Sequence, residues 1–375
     1  MQITIITHPF RGNYGGMLQA YALQECLSRI GHVAKLRLFT LPPSPWYRRG
    51  IRFLMKVQRA LRLRMGWNPK PRCLLEELQR MGSRFSRTCV RAWDDGAVPS
   101  VPDAYVVGSD QVWRCLYTRA IHSAEFFFLN ETTPEVRARS VAYAASFGTE
   151  EWEGTEEETR LCASLLRDFK AVSVREHSGI ALCREHFRRT DVVQMPDPTL
   201  LANTEDYLRL IRAENLPENT CSAPYIAHYI LDLSAENRAL IERIADGMGH
   251  LQTIPLMANH TATTRKERLP MSVGQWLNSL RQAKLLITDS FHGCVFAIIF
   301  NVPFLCIPNE ARGKSRFETL LSSFGLEHRM VQATASTSEL NVILTTPIHW
   351  DKVNAVHESE RQRGISFLRE HLSCE

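Results

Sequence analysis

The residues with most chemical promise stand together at Asp289-Ser290-Phe291-His292-Gly293, where an apolar run, LLIT, breaks and turns helical. In an open α/β domain such a break marks the carboxyl edge of the sheet, where ligands sit. His292 falls on the first turn of the new helix, where unpaired N–H groups and the helix dipole favour an anion. An imidazole beside an anion site suits a proton donor, and the charge of Asp289 would keep it protonated and oriented. The plainer alternative is that Asp289 or Ser290 caps a helix and His292 is an ordinary, partly buried histidine.

Four other clusters offer chemistry. The stretch RGNYGG before MLQAYALQ puts Asn13 and the N–H groups of Gly15 and Gly16 at a strand-to-helix turn, facing a ligand or merely closing the turn. It is neither GxGxxG nor a Walker loop, so no dinucleotide or nucleoside triphosphate is signalled. Gly108-Ser109-Asp110-Gln111 follows the apolar AYVV. There Asp110 orients a sugar hydroxyl or caps a helix, and Trp113 offers a face for a sugar ring or belongs to the core. Arg175 ends AVSV, and its planar fork suits a carboxylate or phosphate, the alternative being an internal ion pair with Glu176 or Asp197. In EARGKSR, Arg312, Lys314 and Arg316 form a loop that closes over an anion or is simply solvated. Ten cysteines without CxxC pairs indicate neither a metal site nor a disulfide framework.

Positioning these groups requires strands that end at a common edge. Apolar runs at 3–7, 104–107, 141–145 and 171–174 alternate with helical stretches, which argues for a parallel sheet with helices on both faces. Turn residues at 215–224 read as a linker, and a second alternation follows: strands 225–231, 251–256, 285–288 and 304–307, with helices 234–247, 272–283, 292–300, 315–324 and 338–344. A long polar helix fills 351–372. Two domains are therefore expected, 1–214 and 215–350, followed by the terminal helix.

Hydrophobic content of 44% and charged content of 23% are those of a globular protein. Met1 leads straight into ITII without a signal peptide, and the longest apolar run is too short for a bilayer, so the cytoplasm is expected. The net charge of +5 is uneven: from 48 to 91, thirteen Lys or Arg face two Glu, which is +11 there and −6 elsewhere. A basic insertion at about 42–101, bounded by prolines, holds this charge. Within it IRFLMKVQRALRLRM, 51–65, patterns as a basic amphipathic helix that lies on an anionic membrane or packs on its own domain. No nucleic-acid motif accompanies it.

The 285–307 stretch resembles the strand-to-helix turn of the polysaccharide pyruvyl transferase family. Further likenesses run along the chain in that family's order: the opening 3–32, DAYVVGSDQVW at 103–113, SVAYAASFG at 140–148, SVREHSG at 173–179 and DPTLL at 197–201. The resemblance implies two Rossmann-like domains facing a cleft, GT-B-like, with the terminal helix crossing back to the first. It also implies phosphoenolpyruvate as co-substrate, no cofactor, and a cyclic pyruvate ketal on a hexose of a cell-surface polysaccharide or its lipid-linked precursor. His292 would be the acid, assisted by Asp289. Arg175, Ser290, Gly293, Lys314, Arg316, Asn13, Gly15 and Gly16 would hold the donor, and Ser109, Asp110, Gln111 and Trp113 the acceptor. Many members carry Arg-Leu-His-Gly where this chain has Ser290-Phe291-His292-Gly293, which shifts the phosphate contact toward Arg316 or Lys314. Peripheral contact with the inner face of the membrane through 51–65 fits a lipid-linked acceptor. Two rivals stay open, a nucleotide-sugar glycosyltransferase of the same architecture and a catalytically silent saccharide-binding scaffold.

Overall fold

The computed structural model describes residues 1–10, 12–37, 72–92, 102–216, 221, 223–258, 270–308 and 313–373. The basic stretch 51–65 and Arg312 lie outside them, as does much of the expected linker.

Two all-parallel sheets form the frame. The first contains β1 (Gln2–Ile6), β2 (Val33–Leu36), β3 (Ala104–Val107), β4 (Val141–Ala145), β5 (Ala171–Val174) and β6 (Val193–Gln194), in the order β2-β1-β3-β4-β5-β6. The second contains β7 (Tyr225–Tyr229), β8 (Gln252–Pro255), β9 (Leu285–Thr288) and β10 (Phe304–Cys306), in the order β10-β9-β7-β8. Every residue of β3, β4, β5, β9 and β10 is buried, because helices cover both faces, and so these strands read as continuous apolar runs. In each sheet the chain runs from one strand to a neighbour on one side and then to a neighbour on the other. The resulting switch points, between β1 and β3 and between β7 and β9, are where such sheets open a crevice.

A single apolar core crosses from one domain to the other. It joins Met17 and Leu18 of the helix Tyr14–Arg29 to Trp276, Phe296 and Leu368. Tyr14 stacks on Trp276 at 5.0 Å, and Tyr207 meets Phe296 edge-on at 4.9 Å. The helix Thr204–Arg212, just before the expected boundary at 214, packs on Val273–Arg281 of the second half, and Glu214 accepts the Gly274 N–H at 2.9 Å.

The terminal helix Trp350–His371 does cross back. Its Arg363 donates to the carbonyl and side-chain oxygens of Gln194 at 2.5 and 2.8 Å, and the Phe367 ring lies 6.0 Å from that of Tyr143. Gly364 permits this approach, since a Cβ there would fall 2.3 Å from the Tyr143 hydroxyl. No helix among the described residues is long and apolar enough to cross a membrane.

Candidate active site

The two switch points face each other across a cavity of about 240 Å³. From the first domain Asn13, Tyr14, Asp110 and Gln111 line it, and from the second Asp289, Ser290, Phe291, His292 and Arg316. An apolar side is made by Leu78, Leu231, Met257 and Pro270.

Two helices present their N-termini here without side-chain caps. The helices Glu156–Arg167, Thr204–Arg212, Ala235–Gly247, Val273–Arg281 and Thr337–Thr345 are each capped by a Ser, Thr or Asn side chain. Asn13 and Ser290, ahead of Tyr14–Arg29 and Phe291–Ile299, make no such bond, nor do the residues ahead of Ser178–Phe187, Ser315–Phe324 and Trp350–His371. Asn13 instead donates its amide to Asp110 at 3.2 Å. First-turn N–H groups on both helices are thus left for an anion.

A buried network sets the charged groups. Arg175 donates to Asp197 at 2.7 Å and stands 3.7 Å from Asp110 and 4.0 Å from Glu176. His292 Nε2 lies 3.6 Å from Asp197 Oδ2. Burial works against ionisation of Asp197, but His292, Arg175 and the Thr199 amide outweigh it and hold the carboxyl well below the usual range. Asp110 is depressed in the same way: burial opposes, and Arg175, His292, His8 and Arg316 prevail. Arg316 suffers the reverse, since burial and the neighbouring Arg175 pull it down to about 10. A guanidinium so placed gains from any anion that joins it.

Side-chain hydrogen bonds fix the loops. Gln19 donates to Thr7 at 2.9 Å and accepts the Ser109 N–H at 2.8 Å, locking the turn after β3 to the first helix. Glu176 gathers Ser146, Phe147 and Gly148 on one carboxylate oxygen. It is an organiser of the turn after β4.

Several expectations change against this geometry. Asp289 does not supply the acid at His292 Nε2: its oxygens accept the backbone N–H groups of Leu231 at 2.6 Å and Asp232 at 3.1 Å, and Asp197 takes that place. Trp113 is core, not a sugar platform, being 1% exposed and stacked on Phe128 at 5.0 Å. Ser109 is wholly buried beneath the cavity, donating to the Ala144 carbonyl at 2.6 Å. Arg175 lies outside the cavity wall, over the Phe291 ring at 4.4 Å, and the cation in the wall is Arg316. Arg316 belongs to the first turn of the helix Ser315–Phe324 and is only 5% exposed, so it is not part of a solvated loop. Lys314 points away and pairs with Glu318 at 2.8 Å on the surface.

The glycines serve close approach. A Cβ at Gly15 would fall 2.0 Å from His292 Nδ1, one at Gly293 2.3 Å from the Thr288 hydroxyl, and one at Gly16 3.1 Å from the Asn13 amide. Gly15 therefore makes room for the imidazole of the other domain. Tyr229, Leu231 and Met257 were not singled out in the sequence, although Tyr229 ends β7, Leu231 and Met257 follow β7 and β8, and the sheet-edge rule that found Asp289 covers them too. Leu78 carries no such signal. No group of His, Cys, Asp and Glu suited to a metal occurs among the described residues.

A family model described as polysaccharide pyruvyl transferase matches residues 13–310. The chain belongs to that family. No curated protein matches it. Among solved structures the chain is similar to a UDP-GlcNAc 2-epimerase from Neisseria meningitidis, with 9% identity, 99% of each chain covered and a TM-score of 0.53. It is also similar to the UDP-GlcNAc 2-epimerase of Methanocaldococcus jannaschii, at 12% identity, 99% and 100% coverage and a TM-score of 0.52. A putative UDP-N-acetylglucosamine 2-epimerase from Listeria monocytogenes gives 11%, 98% and 95%, and 0.54. At such identity these likenesses establish the fold alone, a GT-B-like pair of α/β domains around a cleft.

Proposed function

We propose that this protein transfers the pyruvyl group of phosphoenolpyruvate to two hydroxyls of a hexose in a cell-surface polysaccharide or its lipid-linked precursor, forming a cyclic ketal and releasing phosphate. The observation that carries the reading is the convergence, in one cavity of a family member, of two uncapped helix N-termini, the buried cation Arg316 and the imidazole of His292.

The donor bears a carboxylate and a phosphate, and the reaction needs a proton on its methylene carbon. The N–H groups at Tyr14 to Gly16 and at the start of Phe291–Ile299 receive one anionic group, and Arg316 the other. His292 gives the proton. Arg175 offsets part of the charge of Asp110 and Asp197, which would otherwise repel a polyanion from the cavity. Asp110 and Gln111 face the acceptor hydroxyls. The basic stretch 51–65 is suited to hold the enzyme near a lipid-borne acceptor at the inner face of the membrane.

Incubation with phosphoenolpyruvate and a panel of aryl or lipid-linked hexosides, followed by phosphate release and product mass, tests the reading. The parent should release phosphate only when an acceptor is present, and folded His292→Gln should do so at least about a hundredfold more slowly. Binding of a nucleotide sugar with none of phosphoenolpyruvate would overturn it.

A further inference from the structure

Resting on that reading, we propose that Asp197 is the positioning residue of His292. Reaching across from the first domain, it keeps one proton on Nε2 so that the proton given to the substrate leaves from Nδ1.

The geometry separates the two ring nitrogens. Nε2 is buried, lacks a hydrogen bond and looks at Asp197 Oδ2 from 3.6 Å. Nδ1 lies on the other side of the ring, against Gly15, whose neighbour Tyr14 lines the cavity. Asp197 cannot turn away. Its Oδ1 accepts from the Thr199 amide at 3.0 Å and hydroxyl at 2.7 Å, and its Oδ2 accepts from Arg175 at 2.7 Å. A closure of the cleft by roughly 0.7 Å would turn the 3.6 Å separation into an ordinary N–H···O bond. The acid is thus assembled from both domains, and closing the cleft completes it.

Other charges surround the imidazole. Asp110 attracts its proton from the turn after β3, Arg175 and Arg316 oppose that pull from the turn after β5 and the helix Ser315–Phe324, and Asp289 lies on its own turn. Asp197 stands nearest Nε2, so it decides which nitrogen keeps its proton once the other has been spent.

In the step itself the Nδ1–H bond breaks and the π pair of the donor's double bond takes that proton to make a methyl group. The neighbouring carbon is left cationic and shares its charge with the ester oxygen. One acceptor hydroxyl adds there and returns its proton to Nδ1. The second hydroxyl displaces phosphate, which leaves with the remaining proton.

Nitrogen-15 NMR of the full chain labelled at histidine tests this without substrate, the His292 signals being those lost in His292→Gln. The neutral ring should carry its proton on Nε2. A neutral ring protonated on Nδ1 would overturn the proposal. In Asp197→Asn the preference should vanish, kcat should fall at least about a hundredfold, and the alkaline decline of kcat should move to lower pH, because the imidazolium has lost its anionic neighbour. An unshifted profile in a folded Asp197→Asn protein would equally refute it. If that variant does not fold, the tautomer of the parent still decides. Because that tautomer is read without donor, a parent that releases no phosphate refutes the transferase reading alone.

Discussion

Replacing Gly15 by alanine sets two effects of known size against each other. The residue is the second of the helix Tyr14–Arg29, and alanine there gains up to about 1 kcal/mol of helix propensity. The added methyl would sit 2.0 Å from His292 Nδ1, 2.2 Å from Cγ and 2.6 Å from Cε1, against an ordinary contact of about 3.5 Å or more. The ring, or the domain carrying it, must therefore retreat by roughly 1.5 Å, and overpacking of this kind costs about 1–3 kcal/mol. The net loss of stability should be at most about 3 kcal/mol, several degrees in melting temperature. A reacting group misplaced by about 1 Å costs on the order of a hundredfold in rate. Gly15→Ala should thus remain folded by circular dichroism, melt within several degrees of the parent, and turn over phosphoenolpyruvate about a hundredfold more slowly. Full turnover in this variant would mean that the imidazole does not work where it lies beside Gly15, and the assignment of His292 as acid would fall with it.

Arg316→Met should increase the donor Michaelis constant and abolish the melting-temperature gain from inorganic phosphate. Lys314→Ala, which breaks a surface pair with Glu318, should match the parent in the same assays. Trp113→Ala should cost about 3–5 kcal/mol in chemical denaturation and leave acceptor Michaelis constants unchanged, whereas a weakened acceptor without lost stability would return Trp113 to the site. Asp197 is held low in the folded state, so its contribution is present above about pH 4 and is lost as pH falls further. The parent should exceed Asp197→Asn in stability at pH 7, and the gap should narrow steadily as pH falls below about 4. A gap of constant size down the acid range would deny the depressed carboxyl.

The strands 104–107, 141–145, 171–174 and 285–288 were legible to the residue, because a strand buried on both faces is an unbroken apolar run and its ends are turn residues. β2 and β6 escaped. VAKL is short and mixed, and β6 has only two residues, with pairing supplied by β5 rather than by its own composition. At the site, sequence could place Asp289, His292, Asp110 and Arg175 at sheet edges but could not say which way each side chain turns. Asp289 turns to the backbone at 231 and 232, and Arg175 to an acid 22 residues on. The partner of His292 lies in the other domain, where no spacing along the chain foretells it. Trp113 misled because an aromatic after a strand looks alike whether the next layer is a ligand or, as here, Phe128 and Phe147.

The return of the helix Trp350–His371 has a bearing on how the protein is made. A chain leaving the ribosome can pair β1 to β5 early, since domains fold from the N-terminus as they emerge. The two-residue strand β6 gains its clasp from Arg363, and Tyr143 of β4 its neighbour Phe367, only when residues 350–371 have been synthesised. Asp197 follows β6 by three residues, and its partner at 292 also arrives late. A nascent chain therefore carries a nearly finished first domain in which β6 is unclasped and Asp197 has not yet met His292.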